Sequence, residues 1–312
     1  MNIRTVCVLG GTGFVGSHLV TRLVDQGYRV KVLTRRAYRS RHLMVLPGVR
    51  LVEADCHEAS VLRTQFQNCE AVINLVGILN EHGHDGSGFR HTHVDLAHTV
   101  IESAREAGVR RLLHMSALNA DPASGPSHYL RTKGEAENIV HTLAGEVAVT
   151  SFRPSVIFGR GDSFFNRFAN LLRITPVLPL ACPDARFAPV FVGDVVEAFV
   201  TAMRDPATDG ERMDLCGPQV YTLKALVEYT ARLLEKPRLI IGLSDRLSLL
   251  QARVMEYVPG KPLSLDNYHS LQRDSICPSG GHCPTALESV VPRYLGGHTR
   301  HNRLQQLRST PR

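Results

Sequence analysis

The sequence predicts an α/β protein, a doubly wound parallel sheet followed by a smaller, mostly helical C-terminal lobe. Three observations carry this. The apolar run Val6-Cys7-Val8-Leu9 leads straight into glycines at three-residue spacing, Gly10, Gly13 and Gly16. Apolar runs then alternate with helical patterns through the first half of the chain, as in βαβ units. After Arg153 the alternation is broken by Pro154, Pro176, Pro179, Pro183 and Pro189, and helical periodicity dominates the rest.

The first strand and its glycines form a phosphate-binding turn. Gly10 permits the tight turn, Gly13 lets the backbone approach a pyrophosphate, and Gly16 lets the helix pack closely on the strand. The helix that follows is apolar at Val15, Leu19, Val20, Leu23 and Val24 and closes at Gly27. Its N-terminus supplies N–H groups and positive dipole to an anion. With Thr12, Phe14 and Val15, these glycines make an NAD(P)-binding Rossmann turn, and a nicotinamide dinucleotide is the expected ligand.

Further strands are expected at Val30–Thr34, Val49–Asp55, Ala71–Val76, Leu112–Ser116 and Val147–Arg153. Helices are expected near Glu58–Phe66, His91–Ala107 and His128–Leu143. Right-handed crossovers order such strands about a switch point, with the ligand across their carboxyl ends. Residues 1–160 therefore read as the Rossmann domain, with 186–216 returning to the sheet through a strand at Pro189–Val192 and a helix at Val195–Met203. Residues 161–185 and 217–312 read as the C-terminal lobe, which should close over the cofactor. In it Thr222 caps a helix striped with Leu223, Leu226, Val227, Thr230, Leu233 and Leu234, and a second helix, Asp245–Val258, is apolar at Leu247, Leu249, Leu250, Val254 and Met255.

The second strand selects the nucleotide. NAD-binding turns of this kind place a carboxylate about 20 residues past the glycines, where it bonds the ribose hydroxyls. Here the strand ends Val32-Leu33-Thr34-Arg35-Arg36, and the planar donors of Arg35 and Arg36 suit a 2′-phosphate. NADP(H) is preferred and NAD(H) is the weaker alternative. Asp55, with Cys56 beside it at the end of the third strand, is placed to meet the adenine amine.

Tyr129-Leu130-Arg131-Thr132-Lys133 puts a phenol and an ammonium one helical turn apart on one face. The ammonium favours phenolate, so Tyr129 can exchange a proton with a carbonyl or hydroxyl near neutral pH. Ser116, at a strand end, can donate a hydrogen bond to the same oxygen. A second match, Tyr257-Val258-Pro259-Gly260-Lys261, is broken by Pro259 and Gly260, so its side chains need not share a face.

Composition bounds the setting. The 312 residues are 43% hydrophobic and 21% charged, as in globular proteins, and no run approaches the roughly 18 apolar residues of a membrane helix. The N-terminal residues read as strand rather than leader peptide, so the chain is expected to stay where it is made. Seven scattered cysteines argue against a disulfide framework and for the reducing cytoplasm. Cys277, His282 and Cys283 lack the short chelating pairs of zinc sites, and His82, His84, His91 and His93 read as solvated loop histidines, so no metal is expected. The net charge is +7, and beyond Arg293 the tail adds Arg300, Arg303, Arg308 and Arg312 without an acid. Such a tail suits anionic lipid or an acidic protein surface. Nucleic acid is not expected, since no binding motif accompanies the charge and aromatic content is 6%.

Gly10 to Gly16, Asn74-Leu75-Val76-Gly77, Ser116, Tyr129 with Lys133, and Arg153-Pro154-Ser155-Val156-Ile157-Phe158-Gly159 together resemble the short-chain dehydrogenase/reductase superfamily, in its extended or atypical branch of NAD-dependent epimerases and dehydratases. Phe158-Gly159-Arg160-Gly161-Asp162-Ser163-Phe164, Pro189-Val190-Phe191-Val192-Gly193-Asp194-Val195 and Gly217-Pro218-Gln219-Val220-Tyr221 are similar to the nucleotide-binding accessory-subunit family of respiratory complex I and its bacterial homologues. The resemblance implies tightly held NADPH, with Arg35 at its phosphate, Asn74, Val76 and Gly77 along the path to the nicotinamide, and Pro154 with Ser155 near that ring. It implies a membrane-peripheral, quinone-related protein on the cytoplasmic face of the inner membrane, attached to a membrane protein complex, rather than a sugar-nucleotide enzyme. Asp95 and Ala117-Leu118 depart from the sugar-nucleotide epimerases. Two alternatives stay open: an active NADP(H)-dependent reductase or epimerase using Ser116, Tyr129 and Lys133, and a non-catalytic nucleotide-sensing regulator.

Overall fold

A computed structural model describes residues 3–259, 261–278 and 283–296. Six strands alternate with helices: β1 (Thr5–Leu9), β2 (Arg29–Thr34), β3 (Val49–Glu53), β4 (Ala71–Asn74), β5 (Arg111–Met115) and β6 (Ala148–Pro154). A seventh, Arg212–Leu215, pairs with β6. The seven form one parallel sheet in the order seventh, β6, β5, β4, β1, β2, β3. The order reverses between β1 and β4, so a crevice opens at their carboxyl ends.

Strand alternation sorts the core into two faces. Cys7, Leu9, Leu33 and Val72 pack with Leu62 and Phe66 of the helix Ala59–Phe66, with Leu96, Val100 and Ile101 of Leu96–Glu106, and with Ala136 and Val140 of His128–Thr142. Val8 and Val32 lie on the other face, close to Val20 of the helix Phe14–Asp25. The helix Val192–Arg204 packs beside that helix, and Arg22 pairs with Glu197 at 3.0 Å.

The returning segment differs from expectation. Val190–Phe191 pairs with Ile157–Phe158 as a separate two-stranded ladder, and the strand that completes the sheet is Arg212–Leu215. That strand is short, and only Leu215 is fully buried. An edge position asks for no apolar alternation, so the sequence pattern is silent there. Beneath this edge the carboxylate of Glu137, wholly buried, meets Arg153 and lies 2.7 Å from Nε of Arg212.

The chain divides into two compact units, Met1–Pro154 with Val192–Leu215, and Ser155–Phe191 with Cys216–Arg312. The second holds its own core, in which Phe158, Phe165, Leu172, Leu226 and Val227 are buried. Thr222 caps the helix Leu223–Leu233 by accepting the Ala225 N–H at 3.1 Å. A disulfide joins Cys216 to Cys277, a correction to the expectation from cysteine number. The partners stand 61 residues apart and only the fold brings them together. Cys277 is thereby removed from metal chemistry, and His282 lies outside the described residues, as do Arg300, Arg303, Arg308 and Arg312. Among the described residues no helix is long and apolar enough to cross a membrane.

Candidate functional site

The glycine turn after β1 is built by exclusion. Gly10 adopts φ +74°, and a Cβ on it would lie 3.0 Å from the carbonyl carbon of Leu75, so the turn lies against the chain leaving β4. A Cβ on Gly16 would come 2.3 Å from the Gly10 oxygen and 2.6 Å from the Gly11 Cα, so no side chain fits there. Gly13 is different: exposed, its imagined Cβ meets only the Gly10 oxygen, at 3.2 Å. Gly13 is also the N-cap of the helix Phe14–Asp25, offers no side-chain acceptor, and is followed by no acid in the first turn. The first-turn N–H groups and the positive end of the dipole are thus left for an anion. Thr12, Phe14 and Val15 lie half-buried around them.

At the ends of β2 and β3, Arg35 and Arg36 are both exposed. The loop they begin is held by Glu53, which pairs across from Thr34 and accepts the Ala37 N–H at 3.1 Å. Asp55 is exposed and accepts the His57 N–H at 3.0 Å, and Cys56 is half-buried between them. Burial, and secondarily the Asp55 charge, pushes the Cys56 thiol up. The His57 ring stacks on that of His91 at 4.1 Å, and burial, then His91, lowers its basicity. Side-chain donor atoms of Asp55, Cys56 and His57 lie within 4.8 Å of one another.

On the other side of the switch point stand Tyr129 and Lys133. Ser127 starts their helix, its Oγ accepting the Leu130 N–H at 3.1 Å. Lys133 is buried, and its Nζ donates to the Met115 carbonyl at 3.0 Å. Burial lowers the ammonium to about 8, opposed only by the attraction of Glu137. Gly77 lies over it: a Cβ there would stand 3.0 Å from Nζ. Tyr129 sits edge-on to the rings of His93 and Phe89, at 5.6 and 6.1 Å. Ser116 is 3% exposed, and its Oγ is buried without a hydrogen-bond partner. Buried hydroxyls are ordinarily paired with protein, ordered water or ligand, and the chain supplies no partner to this one.

Lys133, Gly77, Tyr129 and the Met115–Ser116 step thus come together, while Arg35, Arg36, Asp55 and Cys56 cluster at the β2–β3 end. Pro154 closes β6, its carbonyl accepting the Leu118 N–H at 3.1 Å. Ser155 belongs to the second unit, where its Oγ bonds the Ser275 carbonyl at 2.8 Å. The other tyrosine-lysine match is not a pair: Tyr257 is 82% exposed and Lys261 turns to Glu256 at 3.0 Å.

The histidines were only partly legible. His82, His84 and His91 are exposed, but His93 is 3% exposed, a correction to its expected solvation. A π-helical turn, His91–Asp95, joins the helices Ser87–Arg90 and Leu96–Glu106, and His93 is among its buried residues. His93 Nε2 accepts the Ile78 N–H at 3.2 Å, so Nδ1 carries the proton and donates to Thr132 Oγ1 at 2.9 Å. Burial, then Lys133, lowers it to about 2. His114 stands opposite Asn74, whose Oδ1 accepts the Val76 N–H at 3.1 Å and whose amide reaches His114 Nδ1 at 3.5 Å. Burial and Lys133 hold His114 near 3. Neither ring was marked by sequence spacing; the apolar flanks of Leu112-Leu113-His114-Met115 were the available signal.

Comparison with known proteins fits this geometry. The model of the NAD dependent epimerase/dehydratase family matches residues 6–216. NADH dehydrogenase [ubiquinone] 1 alpha subcomplex subunit 9, mitochondrial, of Mus musculus is 34% identical over 228 residues, 71% of this chain and 59% of the relative, so the chain spans about three fifths of that protein's length. Ceramide reductase of Caulobacter vibrioides is 29% identical over 236 residues, 75% of this chain and 72% of the relative. In fold, the chain is similar to a double mutant of DesIV, a dTDP-glucose 4,6-dehydratase from Streptomyces venezuelae with NAD bound: TM-score 0.73, 20% identity, 93% of this chain and 95% of that one covered.

Proposed function

The chain belongs to the NAD dependent epimerase/dehydratase family, is related to the complex I subunits of that family, and we propose that it is an NADP(H)-binding protein peripheral to a membrane complex and linked to quinone chemistry. The observation that carries this reading is the 34% identity to the mouse complex I subunit. The uncapped, acid-free glycine turn supports a pyrophosphate at Gly10 to Gly16, and the two exposed guanidiniums support a 2′-phosphate at Arg35 and Arg36. Asp55 and Cys56 take the adenine, and Asn74, Val76 and Gly77 line the path to the nicotinamide, with Pro154 at the ring. The test is mass spectrometry of nucleotide released from the purified chain, together with its recovery in gently prepared membranes. NADP(H) released and membrane retention are expected; bare protein found only in the soluble fraction would overturn the reading.

A second reading, an NADP(H)-dependent reductase, is favoured by the buried, unpartnered Ser116 Oγ and by the ceramide reductase relative. When bound, the nicotinamide exchanges a hydride with substrate carbon. The chain's own part is then proton handling at the substrate oxygen. Ser116 Oγ donates a hydrogen bond to that oxygen, and Tyr129 Oη gives or takes its proton. Lys133, held by the Met115 carbonyl, supplies the positive charge that favours phenolate. Loss of turnover in Tyr129→Phe, with nucleotide still bound, is the expected result; full turnover on an identified substrate excludes this mechanism.

A further inference from the structure

We propose that the second unit carries a docking face for an anionic lipid bilayer, made by the helix Asp245–Met255 and the outer side of a two-stranded sheet. The strands Val177–Leu180 and Leu239–Gly242 pair in parallel, with Val177 opposite Leu239 and Pro179 opposite Ile241. Leu178 and Leu180 turn into the core. The opposite side presents Val177, Pro179, Leu239 and Ile241, all exposed and all apolar, where a solvated sheet face calls for polar residues.

The helix is amphipathic in the wrong sense for water. Ser248 and Ala252 are fully buried, while Leu247, Leu250 and Val254, spaced three and four apart on one face, are 51, 55 and 57% exposed. Gln251 Nε2 donates to the Pro179 carbonyl at 3.0 Å, so helix and sheet adjoin and their apolar surfaces form one region. A contiguous surface of large aliphatic side chains marks an interaction site.

Charge selects the occupant. Arg173, Lys236, Arg246 and Arg253 are exposed on the flanking positions. Of the acids nearby, Asp245 accepts the Tyr268 hydroxyl at 2.6 Å and Glu256 holds Lys261 and the Leu265 N–H, while Asp184 and Glu235 are exposed and fewer than the four cations. A basic rim around an aliphatic face suits a helix lying in the headgroup region of an anionic membrane. A second copy seated on the same face would oppose arginine to arginine. A protein partner calls for aromatic anchors, and among the described residues of this face only Tyr257 is of that kind.

This inference rests on the membrane-peripheral reading above and names the surface that serves it. The test is flotation of the full chain with phosphatidylcholine vesicles, with and without phosphatidylglycerol, at low and high ionic strength. Binding that needs phosphatidylglycerol and weakens with salt is expected. Leu250→Asp with Val254→Asp, both at exposed positions, should reduce the bound fraction about tenfold, and Arg246→Glu with Arg253→Glu should do likewise. Circular dichroism and NADPH fluorescence, unchanged in both variants, exclude misfolding. Wild type and variants floating equally, no flotation of the wild type, or a dimer in light scattering that the aspartates dissociate would each overturn the proposal. Retention of the aspartate variant on native membranes separates the two failures, since it leaves the membrane-peripheral reading standing without this face.

Discussion

Lys133 reaches out of its helix to the carbonyl of Met115, 3.0 Å away, one residue before Ser116. That contact fixes an ammonium beside a strand end whose next hydroxyl has no partner, and it does so in a buried setting. The pair ties the tyrosine helix to β5 and makes the site sensitive to protonation.

Lys133 should report on pH. Its folded-state value is lowered to about 8 from the ordinary 10.5, so the unfolded chain binds the proton more tightly. The cost of burying the charge is full below pH 8 and is relieved as pH rises through that value towards 10.5. Urea midpoints of the wild type should therefore rise, relative to Lys133→Met, between about pH 8 and about pH 10. A difference between the two proteins that is flat over this range would contradict the buried ammonium.

His93 and His114 act in the acid range. Both are held neutral by burial, near 2 and near 3, against 6.5 when unfolded. Their effect is absent above pH 6.5, and stability falls as pH drops from 6.5 towards 3, because only the unfolded chain takes up the protons. His114→Asn should remove up to one proton from this slope, measured as thermal midpoints across the acid range. An unchanged slope would place His114 in solvent.

The two glycines predict opposite phenotypes. Gly16→Ala meets the Gly10 oxygen and should cost about 1–3 kcal/mol of stability as well as nucleotide binding. Gly13→Ala makes one tight contact, 3.2 Å to the Gly10 oxygen, and should stay within about 1 kcal/mol of wild type. Its methyl would nevertheless meet the phosphates, weakening NADPH at least about tenfold by fluorescence titration. Equal stability losses in the two variants would reject the division of labour.

Arg35→Ala with Arg36→Ala should weaken NADPH about tenfold, roughly 1.4 kcal/mol, and leave NADH unchanged. Both side chains are exposed, so the fold should not respond. Parallel calorimetric titrations with the two nucleotides make the comparison, and equal losses for both would remove these arginines from phosphate recognition.

Much of the first unit was legible because local pattern and tertiary role coincide there. β1 and β4 are buried on both sides, so continuous apolar runs such as Val6–Leu9 announce them without help from their neighbours. Edge elements gave no such signal. Arg212–Leu215 lies at the border of the sheet with one fully buried residue, and Val190–Phe191, which reads more like a strand, pairs elsewhere. Of the site, Tyr129, Lys133 and Ser116 follow from spacing and strand ends. The buried state of His93 depends on a π turn, and that of His114 on a strand pairing with Asn74, neither of which has a periodic signature.

The sequence by itself determined a parallel nucleotide-binding sheet, the glycine turn and a phenol–ammonium pair, since glycine conformation, helical spacing and apolar runs are local properties of the chain. Only the tertiary structure decided that Gly16 excludes any side chain while Gly13 is exposed and meets a single backbone oxygen, that Cys216 meets Cys277, and that Leu247, Leu250 and Val254 face outward while Ser248 and Ala252 face the core. Proximity between distant residues and the direction a helix face takes are set by what packs against it, and that is a property of the whole fold.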